Sequence, residues 1–437
     1  MRHLTIVLLT LFSVFAAQSV VHATGPQPAL PSALDLRTAL SRALEFNPGI
    51  QAARERIEEQ EGIRIELRAE ILPQLSANAR YSLFDRNLGD RGPGMPVADR
   101  DWSFGVQIRQ MVYAGGAVFS ALQAQDLRRE ASYYELQATI EEVLFEVRQR
   151  FYGVLLARAQ LKVQEQTIEL LERELVDARN RLEAGSSSRF EVLRAEVELD
   201  NAQPGLIRSR NRIDSALDAL LQSIGLAEFG DRRPVQVQGE FDEPDIRLSL
   251  GEAIELAFDR RAEVKRSELL VESGDAMLSS QRRRQHPVVA AVGGYEWRKA
   301  FDSNRVGDSD GGWLVGLEMN WDLWDGHRTR ARVQQAQSQL NQTRAAEVDL
   351  RLQIEFQVRQ AYLNLVEARK LVSAASRVVE RAEESLRLAQ ERQRSGAATQ
   401  LDVLSAQVAL STARANAVQA EHDLTIARAA MAYAIGQ

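Results

Sequence analysis

Not one of the chain's 437 residues is a cysteine. That absence excludes disulfides, thiol nucleophiles, cysteine metal sites and a lipid-modified cysteine. Proline is missing where it would matter most: none lies between Pro96 and Pro204, and none follows Pro287. Two stretches of more than 100 residues therefore carry no residue that would break a helix. Past the N-terminus there is no run of about 18 apolar residues, which excludes a transmembrane helix. Histidine is rare too. Only His286, His327 and His422 lie beyond residue 23, too scattered for metal-ligand spacing. No phosphate-binding glycine loop and no nucleophile elbow occurs. The formal charge of −7 argues against nucleic acid as a partner. No enzyme, cofactor or metal site is expected.

What is present begins with MRHLTIVLLTLFSVFAAQSVVHA. Arg2 and His3 precede the apolar run Leu4 to Ala17, and Val21-His-Ala23 ends in a small residue. This order is that of a secretory signal peptide, assigned to 1–23, and it implies export of the mature chain.

The remainder repeats itself. At an offset of 214 residues, Leu40-x-x-Ala43-Leu44 falls on Ile254-x-x-Ala257-Phe258, Pro73 on Pro287 and Tyr81 on Tyr295. After a three-residue difference in one loop, the offset becomes 211. Trp102 then falls on Trp313, Gly115 on Gly326, Gly185 on Gly396, and Ile224-Gly225 on Ile435-Gly436. A register held for so long is a tandem duplication. The units are placed at 24–229 and 248–437, joined by a Pro/Gly/Asp-rich linker at 230–247. Each is expected to begin with a helix (about 35–71 and 248–284). Two strands follow (about 74–84 and 102–113; about 288–298 and 312–324). A long helix comes next (about 116–183 and 327–394), then a shorter one (about 188–224 and 399–435). A helix of about 68 residues spans roughly 100 Å, against an average of about 11–12 residues in globular proteins. Val192, Ala195, Leu199 and Ala202, repeated as Val403, Ala406, Leu410 and Ala413, have the 3-4-3 spacing of a coiled-coil seam.

The strands carry a second pattern. Leu75, Ala77, Ala79, Tyr81 and Leu83 alternate with polar residues, as do Trp102, Phe104, Val106 and Ile108. Val289 to Trp297 and Trp313 to Leu323 do the same, with Glu318, Asn320 and Asp322 on the facing side. One apolar and one polar face over about ten residues is the pattern of an outer-membrane β-barrel wall. All five tryptophans, Trp102, Trp297, Trp313, Trp321 and Trp324, fall in these segments, as membrane-interface aromatics do. The competing reading is a soluble sandwich with an aromatic core. Four strands cannot close a barrel, so protomers must share one: two chains supply eight strands with a filled interior, three supply twelve with a lumen.

Two strand–helix junctions, Gln110-Met-Val-Tyr-Ala-Gly-Gly116 and Asn320-Trp-Asp-Leu-Trp-Asp-Gly326, resemble those of TolC-like outer-membrane efflux proteins. So do the helix tips RLEAGSSSRFEVLRAEVEL and RQRSGAATQLDVLSAQVAL. The resemblance covers essentially the whole mature chain. It implies a mainly α, mixed fold: a homotrimer whose 12-stranded barrel in outer-membrane lipid continues into a periplasmic α-helical barrel. It also implies a periplasmic adaptor protein and an inner-membrane transporter as partners, and a passive exit duct for efflux or type I secretion. Carried over residue by residue, Gly115 and Gly326 are the strand–helix junctions. Gly185 and Gly396, with Arg181 and Arg392, are the adaptor-docking tips. Asp402, with its repeat mate Glu191, takes the place of the family's pore constriction. The family's second acidic position is occupied by Ser405 here. The alternative function is a periplasmic coiled-coil adaptor or scaffold.

Overall fold

The computed structural model describes residues 33–85, 100–226, 235–300 and 308–437. The expected signal peptide and most of the two strand-connecting loops lie outside them. A short strand β1 (Ala33–Leu34) precedes helices α1 (Leu36–Phe46) and α2 (Pro48–Ala69) and strands β2 (Gln74–Leu83) and β3 (Arg100–Tyr113). Helix α3 (Ala117–Glu183) turns back into α4 (Arg189–Ile224), and the linker contributes β4 (Gln236–Val237). The same succession then recurs: α5 (Leu250–Arg260), α6 (Ala262–Arg283), β5 (Val288–Lys299), β6 (Ser309–Asn320), α7 (Arg328–Arg394) and α8 (Gln400–Ala434). Helix lengths of 11, 22, 67 and 36 residues in the first half return as 11, 22, 67 and 35 in the second.

The opening helix of each half is broken, where one continuous helix was expected. At the first break Asn47 has an extended backbone and its Oδ1 accepts from Gly49 N and Ile50 N. Pro48 follows at the first helical position, where a missing N–H costs nothing. The second break, at Arg261, has neither proline nor a capping oxygen. Arg261 is buried instead, bridged to Glu263 at 2.6 Å, bonded to Gln357 at 2.7 Å and set over the Tyr433 ring. Tertiary partners alone hold that bend.

Each half has its own equatorial core. Ala39, Ala43, Ile50, Val147, Phe151, Leu220 and Ile224 form the first, and Ala253, Ala257, Ile354, Val358, Met431 and Ile435 the second. The linker crosses between them as a strap. β4 pairs in parallel with β1, Tyr152 Oη donates to the Asp242 carbonyl, and Arg369 and Arg428 hold Asp245 and the Glu243 carbonyl. Toward the far tips, the coiled-coil seams are buried between paired helices. Val192 and Ala195 meet Leu175 and Ala178; Val403, Ala406 and Leu410 meet Leu386. Pro204 sits inside α4, where it removes one backbone donor. Next to it, Gly205 leaves room for Gln164, whose Nε2 donates to the Ala202 carbonyl at 3.0 Å.

Candidate functional site

The four long strands form one antiparallel sheet in the order β2-β3-β5-β6. Its register aligns the apolar sets across every pair: Tyr81 opposite Trp102, Phe104 opposite Trp297, Val106 opposite Tyr295, Tyr295 opposite Trp313, Ala291 opposite Leu317. One face is thus apolar from edge to edge and exposed; Trp313 is 78% and Leu317 75% accessible. A soluble core would cover such a face, and a soluble scaffold has no use for it. On the other face Arg109 and Glu318 form a 3.0 Å ion pair that reaches across β5. They flank Val292 and Ala290, which are almost fully buried there, so this face is less uniformly polar than the sequence pattern suggests.

Trp102, Trp297 and Trp313 lie at the loop end of the sheet, with Trp297 close to Phe104 and Tyr295. Trp321 and Trp324 lie at the opposite, helix end. The expectation of a last strand running to 324 needs correction, because β6 stops at Asn320. Its partner β5 begins at Val288, directly after Pro287, so nothing remains to pair with Trp321 and beyond. Trp321 instead donates its indole N–H to the Gln285 carbonyl at 3.1 Å, tying the two halves of the junction. From Trp313 to Trp321 the chain covers eight steps, about 26 Å at 3.3 Å each, close to the height of a barrel's apolar band.

Strands β3 and β6 each become a helix through two consecutive left-handed residues. Gly115 and Gly116 have φ of +61° and +79°; Gly326 and His327 have +65° and +68°. A side chain at Gly115 would meet the His286 side chain at 2.5 Å and the Arg283 carbonyl at 2.9 Å, so glycine is needed there for space as well as for φ.

At the tips, Gly185 and Gly396 adopt φ of +73° and +75°. The amide of Ser186 bonds the Arg181 carbonyl and that of Ala397 the Arg392 carbonyl, closing two Schellman turns. Arg181 turns inward, with Nη2 3.0 Å from Glu174, which is 5% exposed and also lies 3.5 Å from Gln393 Nε2 on α7. Arg392 donates to the Ala397 carbonyl at 3.3 Å and so steadies its own turn. Buried Glu174 was not singled out from sequence, since nothing in a run of helical charges marks the one that faces inward.

Asp402 is exposed and is the third residue of a capping box. Its Oδ2 accepts from Thr399 N and Oγ1, both at 2.8 Å, while Thr399 Oγ1 accepts from Asp402 N. These bonds from Thr399, with the charge of Arg392, hold its carboxyl below the usual carboxylate range. Glu191 accepts from the Ser187 hydroxyl at the corresponding tip. No group of three or more metal-ligating side chains gathers among the described residues, and no described helix is long and apolar enough to cross a membrane.

A family profile described as outer membrane efflux protein matches residues 39–226 and 253–437. The outer membrane efflux protein BepC of Brucella suis biovar 1 is 24% identical over 76% of this chain and 72% of its own. Among solved structures, the Campylobacter jejuni outer membrane channel CmeC superposes with a TM-score of 0.80 at 15% identity, over 92% of this chain and 85% of its own. The transmembrane channel CusC gives 0.79 at 18%, over 94% and 95%.

Proposed function

The chain belongs to the outer membrane efflux protein family and is an outer-membrane exit duct extending into the periplasm, and on that premise we propose that three copies close one continuous tube, gated at the periplasmic helix tips. The order of edges supports this reading. In the sheet, the edge strands are β2 and β6. Below it, α2 packs on α3, α3 on α6 and α6 on α7, leaving α2 and α7 outermost. In the tip region, α4 packs on α3, α3 on α8 and α8 on α7, leaving α4 and α7 outermost. Every layer therefore ends in a first-half element on one side and a second-half element on the other. Joining unlike edges builds a ring, and β6 of one copy would run antiparallel to β2 of the next, because they alternate through the sheet. Apolar side chains wait on these edges: Ile65, Val197 and Ile207 on one, Val348, Leu352 and Phe356 on the other. Closure removes the strand edges, each of whose unpaired backbone groups would cost several kcal/mol in lipid.

In this arrangement the Asp402 and Glu191 positions converge at the narrow end as the pore constriction. The turns at Gly185 and Gly396, with Arg181 and Arg392, present the docking surface for a periplasmic adaptor. An inner-membrane transporter supplies the energy, since nothing in the chain couples a chemical reaction to movement. Native mass spectrometry of the detergent-extracted protein tests the count. A three-chain species is expected; a two-chain species as the largest assembly would overturn the proposal.

A further inference from the structure

Six arginines stand at one level of the molecule, where strands give way to helices. Arg282, Arg283 and Arg284 close α6, and Arg328, Arg330 and Arg332 open α7. All six are exposed, and none of them forms an ion pair among the described residues. Their one recorded side-chain hydrogen bond is weak, from Arg282 to Gln337 at 3.5 Å. Farther along the same helix α7, five of the nine arginines, Arg344, Arg351, Arg359, Arg369 and Arg387, are each bonded to a carboxylate. Of the two acids at the junction, Asp322 is exposed and Asp325 is already engaged, its Oδ2 accepting from Thr329 N at 2.7 Å.

Arg282 to Arg284 sit where a helix C-terminus favours cations, but local energetics work against the three on α7. A helix N-terminus carries partial positive charge, so cations in its first turns destabilise it. Helix α7 has no acid in its first turn and a left-handed histidine as its N-cap, whose own side chain caps nothing; only Asp325, three residues before Arg328, serves a first-turn amide. The equivalent start of α3 follows a glycine and reads Ala117, Phe119 and Ala121 where α7 has Arg328, Arg330 and Arg332. Breaking several local rules at one place, in one repeat only, points to a ligand that offsets the cost.

The neighbours identify its chemistry. Trp321 and Trp324, 51% and 81% exposed, stand beside the α7 start at the boundary of the apolar sheet face, the depth at which headgroups meet water. Guanidinium groups match phosphate oxygens in paired hydrogen bonds. We propose that these six arginines form a collar that binds the phosphates of anionic phospholipids in the periplasmic leaflet, fixing the depth of the duct and the angle at which its helices leave the membrane. The collar rests on the reading of the sheet as a membrane wall.

The test uses the full-length assembly in nanodiscs of phosphatidylcholine containing phosphatidylglycerol, with retained lipids counted by native mass spectrometry. Phosphatidylglycerol should be enriched over phosphatidylcholine, with enrichment falling as salt is raised. The triple variant Arg328→Gln, Arg330→Gln, Arg332→Gln should lose about fivefold in that preference per arginine at low salt, whereas the matching lysine variant should keep most of it. Equal retention of both lipids by the unmodified protein overturns the collar, and normal conductance in a zwitterionic bilayer in the same preparation shows that the wall itself stands. Displacement of the lipid by millimolar inorganic phosphate at constant ionic strength would assign the arginines to a free anion instead. A glutamine variant that no longer assembles, beside unmodified protein without lipid preference, would assign them to a neighbouring copy.

Discussion

His327 holds φ of +68°, the only non-glycine residue at positive φ among those described. Left-handed backbone costs a side-chain-bearing residue about 1–2 kcal/mol, and glycine gives back part of that through its greater unfolded-state entropy. His327→Gly should therefore raise the thermal midpoint of the assembled protein, by about 0.5–1 kcal/mol per chain. A lowered midpoint would mean that contacts of the imidazole outweigh the strain. At this scale the sequence was partly legible. Glycine pairs at equivalent positions marked Gly115, Gly185 and their mates, because few other residues adopt that φ. Nothing marked His327, since its conformation is imposed by the junction and opposes its own preference. Arg181 shows the same limit. Its position at the tip was readable, but its partner Glu174 lies two turns away and is identified only by burial.

Among elements, the tight places are where helices dock end-on. Gly225 ends α4 at φ +81°, and a β-carbon there would lie 2.3 Å from the Phe46 carbonyl oxygen, where α1 gives way to α2. Gly185 has nearly the same φ, yet nothing lies within 4 Å of its would-be side chain. Gly225→Ala is expected to cost about 2–4 kcal/mol, from backbone strain and a clash that neither chain segment can relieve. Gly185→Ala should cost about 1 kcal/mol, from strain alone. Thermal melting of the two variants side by side checks the contrast, and equal losses would remove the docking argument. Element type and order followed from proline spacing and from the two hydrophobic periods. The continuous helix expected over about 35–71 passed over the Asn47-Pro48 pair, which is a helix-start signal, whereas nothing local marks the break at Arg261. Pro204 misleads in the other direction: it marks no boundary and is tolerated inside α4.

For the whole molecule, the constriction we propose requires that copies meet, because a single chain carries one Asp402. That residue also caps its own helix, so a substitution there has two consequences that must be separated. Thr399→Ala removes the cap, at about 1 kcal/mol, but leaves the carboxylate in place. In planar bilayers Asp402→Ala is expected to raise conductance and to weaken block of the current by added divalent cations, which a ring of carboxylates on the pore axis would bind, while Thr399→Ala keeps that block. Loss of the block in both would make the aspartate a structural residue only. The folded Asp402 carboxyl titrates below its unfolded value. Its contribution to stability is therefore full above the unfolded value near pH 4, and is lost as pH falls through the lower folded one.

The sequence alone determined the long helices, the four long strands and their duplication. Those follow from local rules: proline placement, a period of two against one near 3.6, and glycine where φ must be positive. It also carries the reason for expecting several copies, since four strands with an apolar face cannot close a barrel. The tertiary structure decided which strand lies next to which, and so which edges stay open. It decided where the last strand stops, at the residue where its partner runs out. It also decided which charges are already engaged with one another and which remain for something else. Those outcomes depend on residues far apart in the chain arriving at the same place, and no window of sequence contains that information.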